Sequence, residues 1–142
     1  MSVTESAHAL LLVDGRYALQ LRDDKPGIVG RGLWGFFGGA LAEDESPAVG
    51  LTRELYEELE IRVAEPRLLW TIEGTSELSS MPKRWWFFEV DATDLWQRHV
   101  LHEGQAAGLF SVDEALVLPM ATITREVLRR HHAETQARMR TL

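Results

Sequence analysis

The sequence predicts an α/β domain with a mixed β-sheet between helices. Three observations predict it. Apolar runs of strand length are interleaved with two helical patterns, a hairpin signal stands near the start, and no linker or repeat divides the chain. With 142 residues, 45% of them hydrophobic, the chain is long enough for one domain with its own core, spanning 1–142.

Each element has a local cause. In "HALLLVDGRYALQLR" two apolar runs flank Asp14-Gly15, a dipeptide suited to a two-residue hairpin. Tyr17, Leu19 and Leu21 alternate with Arg16, Ala18 and Gln20, which predicts a half-buried second strand. "DDKPGIVGRG" is rich in turn formers and reads as a loop. "LWGFFGGAL" is apolar but broken by glycines, as in a short strand whose backbone another group approaches. Ser46 then Pro47 suit an N-cap and the first helical position, so a helix is expected over 47–59. Ala48, Leu51, Leu55 and Leu59 form its packing face. "RLLWTIE" and "KRWWFFEV" read as strands joined by the loop "GTSELSSMP", and "AAGLFSV" as another strand. Pro119 opens a second helix to about 138, with Met120, Ile123, Val127 and Leu128 facing inward.

The charge balance narrows the function. The formal charge is −7, which argues against a surface built to hold nucleic acid polymers. Residues 119–142 carry five arginines and two glutamates, a net of +3, so residues 1–118 carry −10. There is no cysteine, which excludes disulfides and thiolate metal sites. The opening "MSVTESAH" lacks a basic signal-peptide region, and no apolar run approaches the ~18 residues that span a bilayer. A cytoplasmic monomer or homodimer, free of membrane, is expected.

The acid is concentrated on the first helix. Glu54, Glu57 and Glu58 fall within an arc of about 100° beside the leucine stripe. Glu54 has Glu58 at i+4, a repulsive pair where a solvated helix places lysine or arginine. Carboxylates gathered without enough counter-charge suit a hard divalent cation, and Mg²⁺ characteristically combines a few of them with substrate phosphates.

The spacing around them resembles the signature of the Nudix hydrolases. Gly39, five residues, Glu45, seven residues, then Arg53-Glu54-Leu55-Tyr56-Glu57-Glu58-Leu59-Glu60-Ile61 matches G-x5-E-x7-R-E-U-x-E-E-x-G-U over 39–61 at every specified position but one. "LQLRDDKPGI", "LWGFFGG", "WWFFEV" and "EGQAAGLFS" also resemble that family's succession, so the likeness covers nearly the whole chain. It implies a Nudix-type α/β/α sandwich and hydrolysis of a nucleoside diphosphate linked to a further moiety, with Mg²⁺ or Mn²⁺ as cofactor.

Position by position, the resemblance assigns Glu54, Glu57 and Glu58 as metal carboxylates and the Gly38 carbonyl as a backbone ligand. Arg53 would orient a glutamate, and Glu45 would stand behind the metal site in a supporting place. Glu103, in "HEGQAAGLF", resembles the loop residue that serves MutT-like members as a further ligand or general base, with His102 as the alternative base. Two departures stand out. Glu60 replaces the glycine that ends the helix in a left-handed conformation, a substitution worth roughly 1–2 kcal/mol. Phe37 stands where many relatives have proline.

Specificity lies outside the signature. One of Trp85 and Trp86 should face the cleft, since strand neighbours point to opposite faces, and Trp86 is taken as the substrate contact. Arg22, Arg31, Lys83 and Arg84 are further candidates for phosphate or base contacts. Length and "EGQ" favour a MutT-like enzyme acting on a nucleoside triphosphate or oxidised dGTP. ADP-ribose and sugar nucleotides are the alternative, and a non-catalytic nucleotide sensor is the alternative of another class.

Overall fold

The computed structural model describes residues 3–141. Strands β1 (Thr4–Val13) and β2 (Arg16–Leu21) form the expected hairpin, with Asp14 and Gly15 at φ 52° and 77°. Positive φ at both central residues gives the turn whose twist matches antiparallel strands. β3 (Trp34–Gly35) and β4 (Phe37–Ala40) follow, then helix α1 (Pro47–Leu59), β5 (Arg67–Thr75), β6 (Pro82–Asp91) and β7 (Ala106–Phe110). Helices α2 (Val112–Leu116) and α3 (Thr122–Arg140) close the chain.

The seven strands form one mixed sheet, ordered β3-β2-β1-β6-β5, with β4 paired to β1 and β7 to β2. β1 and β6 run parallel, and the other pairings are antiparallel. Alternate residues of β1 feed two cores. Ala7, Ala9 and Leu11 pack under α1 with Phe37 and Phe88. Leu10 packs with Leu19, Phe36, Phe87, Val127 and Leu128 under α2 and α3. Helices thus cover both faces, giving the expected α/β/α sandwich.

α1 begins at Pro47, with Ser46 Oγ accepting the Val49 N–H at 3.3 Å. Leu51, Leu55 and Leu59 are fully buried, each contributing roughly 1.5–3 kcal/mol by leaving water. Glu60 ends the helix at φ 55°, ψ 27°, the left-handed conformation that its signature position requires.

Three expectations are corrected. β2 is not half-exposed: Ala18 and Gln20 are buried as fully as Tyr17 and Leu19. It lies between β1 on one side and β3 and β7 on the other, with helices over both faces, so it has no wet side. The second helix starts at Thr122 rather than Pro119, because the Pro119 carbonyl accepts the Trp34 N–H at 2.9 Å and Met120 bridges to Trp34. α2 was not expected at all. Its signal was local: Ser111 and Glu114 form a complete capping box, hidden in a segment read as the end of a strand.

One long-range contact shapes the α3 side. Ala121 offers α3 no side-chain cap, and Glu77 in the β5–β6 loop supplies one. Its carboxylate accepts from the Thr122 N–H and, at 2.9 Å, from the Thr122 hydroxyl. Among the described residues no helix is long and apolar enough to cross a membrane.

Candidate active site

The site is assembled where β4 passes under α1. Gly38 has φ 136°, and a Cβ there would sit 2.1 Å from the Ala7 carbonyl oxygen. Only glycine therefore permits this approach of β4 to β1. The Gly38 N–H donates to Glu58 Oε1 at 2.8 Å, and a Cβ on Gly39 would lie 2.8 Å from the Glu54 carboxyl carbon. The glycine pair brings the main chain directly against two of the helix carboxylates.

Arg53 organises the exposed side of the cluster. Its Nε donates to Glu45 at 2.7 Å, one terminal nitrogen to Glu54 and Glu57 at 3.1 Å, and the other to Glu45 at 3.0 Å and the Ala40 carbonyl at 3.3 Å. Glu45 also accepts the Ala42 N–H at 2.8 Å. The Arg53 bonds, then the Ala42 bond, hold the Glu45 carboxyl down at about 2. Glu45 is therefore the anchor for Arg53, which in turn holds Glu54 and Glu57.

The carboxylates differ sharply in surroundings. Glu58 is only 2% exposed, and burial pushes its carboxyl up to about 8, reinforced by the negative charges of Glu54 and Glu103. The Gly38 hydrogen bond and the nearby Arg22 charge oppose that rise. Burial also raises Glu54, with Arg53 opposing and Glu57 and Glu103 reinforcing. Glu57 is about half exposed. Glu103 belongs to a loop clipped onto the end of α1: the Val100 and His102 N–H groups donate to the Leu59 and Glu58 carbonyls. Gln20 Nε2 donates to the Glu103 carbonyl at 2.8 Å. His102 also pairs with Glu60, so the residue in the signature's glycine position holds this loop too.

The donor set fits a hard cation in chemistry: carboxylate oxygens in excess, strained by burial and by one another. Among the described residues, however, no three acidic or histidine side chains already stand close enough to hold a metal ion. Arg53 occupies Glu54 and Glu57, and Glu58 is turned to Gly38, so a cation would have to draw the carboxylates together.

A cavity of about 780 Å³ opens beside Gly38, Gly39 and Ala40, between the sheet and α3. Its floor is Ser6 and His8 of β1 and Lys83, Trp85 and Phe87 of β6, and Arg22 lies on its wall. Loop residues Val29, Gly30 and Leu78 close its outer side. Burial, with the Lys83 and Arg22 charges, pushes the His8 imidazole down to about 3, so it is neutral. Its Nε2 bonds Ser6 Oγ at 2.8 Å.

The specificity candidates separate. Arg22 and Lys83 line the cavity. Arg31 does not; it stands on the exposed loop 3.7 Å from Asp24. Trp86 and Arg84 lie on the α1 face, away from the cavity, where both donate to Glu5, at 2.9 and 3.2 Å. Trp85 is the tryptophan of the pair that faces the cavity. Sequence reasoning missed Ser6 and His8, although their alternation with Ala7 and Ala9 along β1 was a usable signal.

Known proteins resemble the chain along its length. The family model for the NUDIX domain matches residues 3–131. The solution structure of the E. coli ORF135 protein is 30% identical, covers 97% of this chain and 94% of its own, and superimposes with a TM-score of 0.79. The MutT protein from Methanosarcina mazei Go1 is 22% identical, with 94% and 95% covered and a TM-score of 0.79. The NUDIX domain of Shewanella oneidensis NrtR, solved with ADP ribose, is 20% identical, with 100% and 90% covered and a TM-score of 0.75. No curated protein sequence matches significantly. With a family match from β1 into α3 and the signature carboxylates set against the β4 glycines, the chain belongs to the NUDIX domain family.

Proposed function

We propose that the protein hydrolyses the pyrophosphate linkage of a nucleoside triphosphate, or of oxidised dGTP, in a reaction that depends on Mg²⁺ or Mn²⁺. The observation that carries this reading is the cavity's position. An aromatic floor large enough for a nucleoside ends at Gly38–Ala40, against which Glu54 and Glu58 press from the other side. A substrate with its base in the cavity would present its phosphates to the carboxylates.

Glu54, Glu57 and Glu58, the Gly38 carbonyl and Glu103 would hold the cation. When bound, it supplies neutralisation of the pyrophosphate and acidification of the attacking water. Glu45 and Arg53 keep Glu54 and Glu57 oriented by charge-assisted hydrogen bonds. Glu103, whose charge is felt by Glu54 and Glu58, is the group proposed to take the proton from water. Arg22 brings positive charge to the boundary between cavity and carboxylates, where the phosphates would lie.

A second reading, an ADP-ribose or sugar-nucleotide substrate, is supported by the similarity to a domain solved with ADP ribose. The test is product release from nucleoside triphosphates, oxidised dGTP, ADP-ribose and sugar nucleotides with Mg²⁺, with Mn²⁺ and with chelator. Chelator-sensitive release of a nucleoside monophosphate and pyrophosphate from a triphosphate is expected. Turnover confined to ADP-ribose would install the second reading. Silence from a folded, metal-binding protein would refute both and indicate a sensor.

A further inference from the structure

The cavity floor holds a cation that the proposed reaction does not use. Lys83 is half-buried, and its ammonium lies over the Trp85 ring, 5.5 Å from the centroid. The acids that line the cavity are committed elsewhere or remote. Glu5 and Glu73 are paired with Arg84, Glu77 caps α3, and Glu126 is an exposed residue of the α3 wall, across the cavity from β6 and in no ion pair with Lys83. Among the described residues Lys83 makes no ion pair. Burial and the Arg22 charge lower its pKa, as expected for an ammonium short of acceptors.

Position defines what the ammonium can meet. Ala40 pairs with Ser6 of β1, Ser6 with Trp85 of β6, and Lys83 lies two residues along β6 on the same face. The Lys83 backbone is therefore two strand spacings across the sheet and three to four residues along it from Gly39 and Gly38, where the phosphates would lie, about 14–16 Å away. Its side chain leans over Trp85, which lies between. A nucleoside reaching from its 5′-phosphate to the outer edge of its base, met by the lysine side chain, spans that interval. Trp85, Phe87 and His8 provide flat walls between the two ends. His8 is neutral, Arg22 stands toward the carboxylates, and Arg130 is held over Trp70 beside Glu134, which leaves Lys83 as the charged reader of that outer edge.

We propose that Lys83 determines base specificity, admitting purines that carry an oxo group at position 6 in preference to those that carry an amino group there. This rests on the nucleotide reading above. An ammonium has three donors and no acceptor. An oxo oxygen gives it a charge-assisted hydrogen bond, whereas an amino group opposes donor with donor and leaves the ammonium desolvated and unpaired. Discrimination by a hydrogen bond to a charged group is worth tenfold or more.

Inosine and adenosine nucleotides differ at this edge alone. We expect wild-type kcat/KM for ITP to exceed that for ATP by at least about tenfold. K83M should bring the ratio close to one, and K83R should keep the preference. A wild-type ratio near one, or an unchanged ratio in K83M, would overturn the inference. Binding of IMP and AMP in chelator tests it without turnover and without a variant. If neither triphosphate is hydrolysed but IMP binds at least about tenfold tighter than AMP, the proposed reaction fails and the specificity stands. Equal binding, or none by either at millimolar concentration, overturns it.

Discussion

Glu58 links the burial of this site to a measurable pH dependence. Its carboxyl rises from 4.5 to about 8 because it is enclosed between α1 and β4 beside two other acids. The folded chain therefore binds a proton that the unfolded chain has released. Stability from this group is complete below about pH 4.5 and is lost as pH climbs through 8. At 1.36 kcal/mol per unit, the loss across that window is about 5 kcal/mol, of which about 3 has gone by pH 7. Glu58→Gln removes the titration while its amide oxygen still accepts the Gly38 N–H. The assay is urea unfolding in chelator at half-unit steps from pH 4.5 to 8, wild type against variant, so that groups common to both cancel. The variant should become the more stable of the two as pH rises. Adding Mg²⁺ to wild type at pH 7 should release close to one proton, with tighter binding at higher pH. Parallel stability profiles for the two proteins would refute the reasoning, as would Mg²⁺ binding without proton release.

Other substitutions separate chemistry from architecture. Glu57→Gln should abolish most metal-dependent turnover yet leave the urea midpoint unchanged, because this carboxylate is about half exposed; near-normal kcat would remove Glu57 from the site. Gly38→Ala should cost at least about 2 kcal/mol in urea unfolding, because its Cβ would meet the Ala7 carbonyl at 2.1 Å and its φ of 136° suits glycine. A midpoint within error of wild type would show that β4 can shift. Glu60→Gly should raise stability by about 1 kcal/mol through relief of the left-handed conformation, since the exposed contact with His102 contributes little. A lower melting temperature would assign the Glu60–His102 pair a larger share than its exposure suggests.

The sequence by itself determined the elements whose causes are local. The Asp14-Gly15 turn, the Ser46-Pro47 start of α1 and its leucine stripe depend on residues within a turn or two of one another. The same holds for the reach of Arg53 to Glu57, because helix geometry converts an i+4 interval into a contact. The Arg53–Glu45 pair, by contrast, joins the helix to the turn before it and was not read from the sequence. Even the left-handed Glu60 was legible, as a residue standing in a glycine position. The tertiary structure alone decided which side of the sheet becomes the cavity. Alternation along β6 separates Trp85 and Lys83 from Trp86 and Arg84. It does not say which pair lies under α1, because that depends on the parallel pairing of β6 with β1, whose partners stand 79 positions apart in the chain. The burial of β2 on both faces, the Glu77 cap on α3 and the raised Glu58 carboxyl share this origin. Each arises where segments distant in sequence are pressed together and water is excluded, and no window along the chain contains both partners.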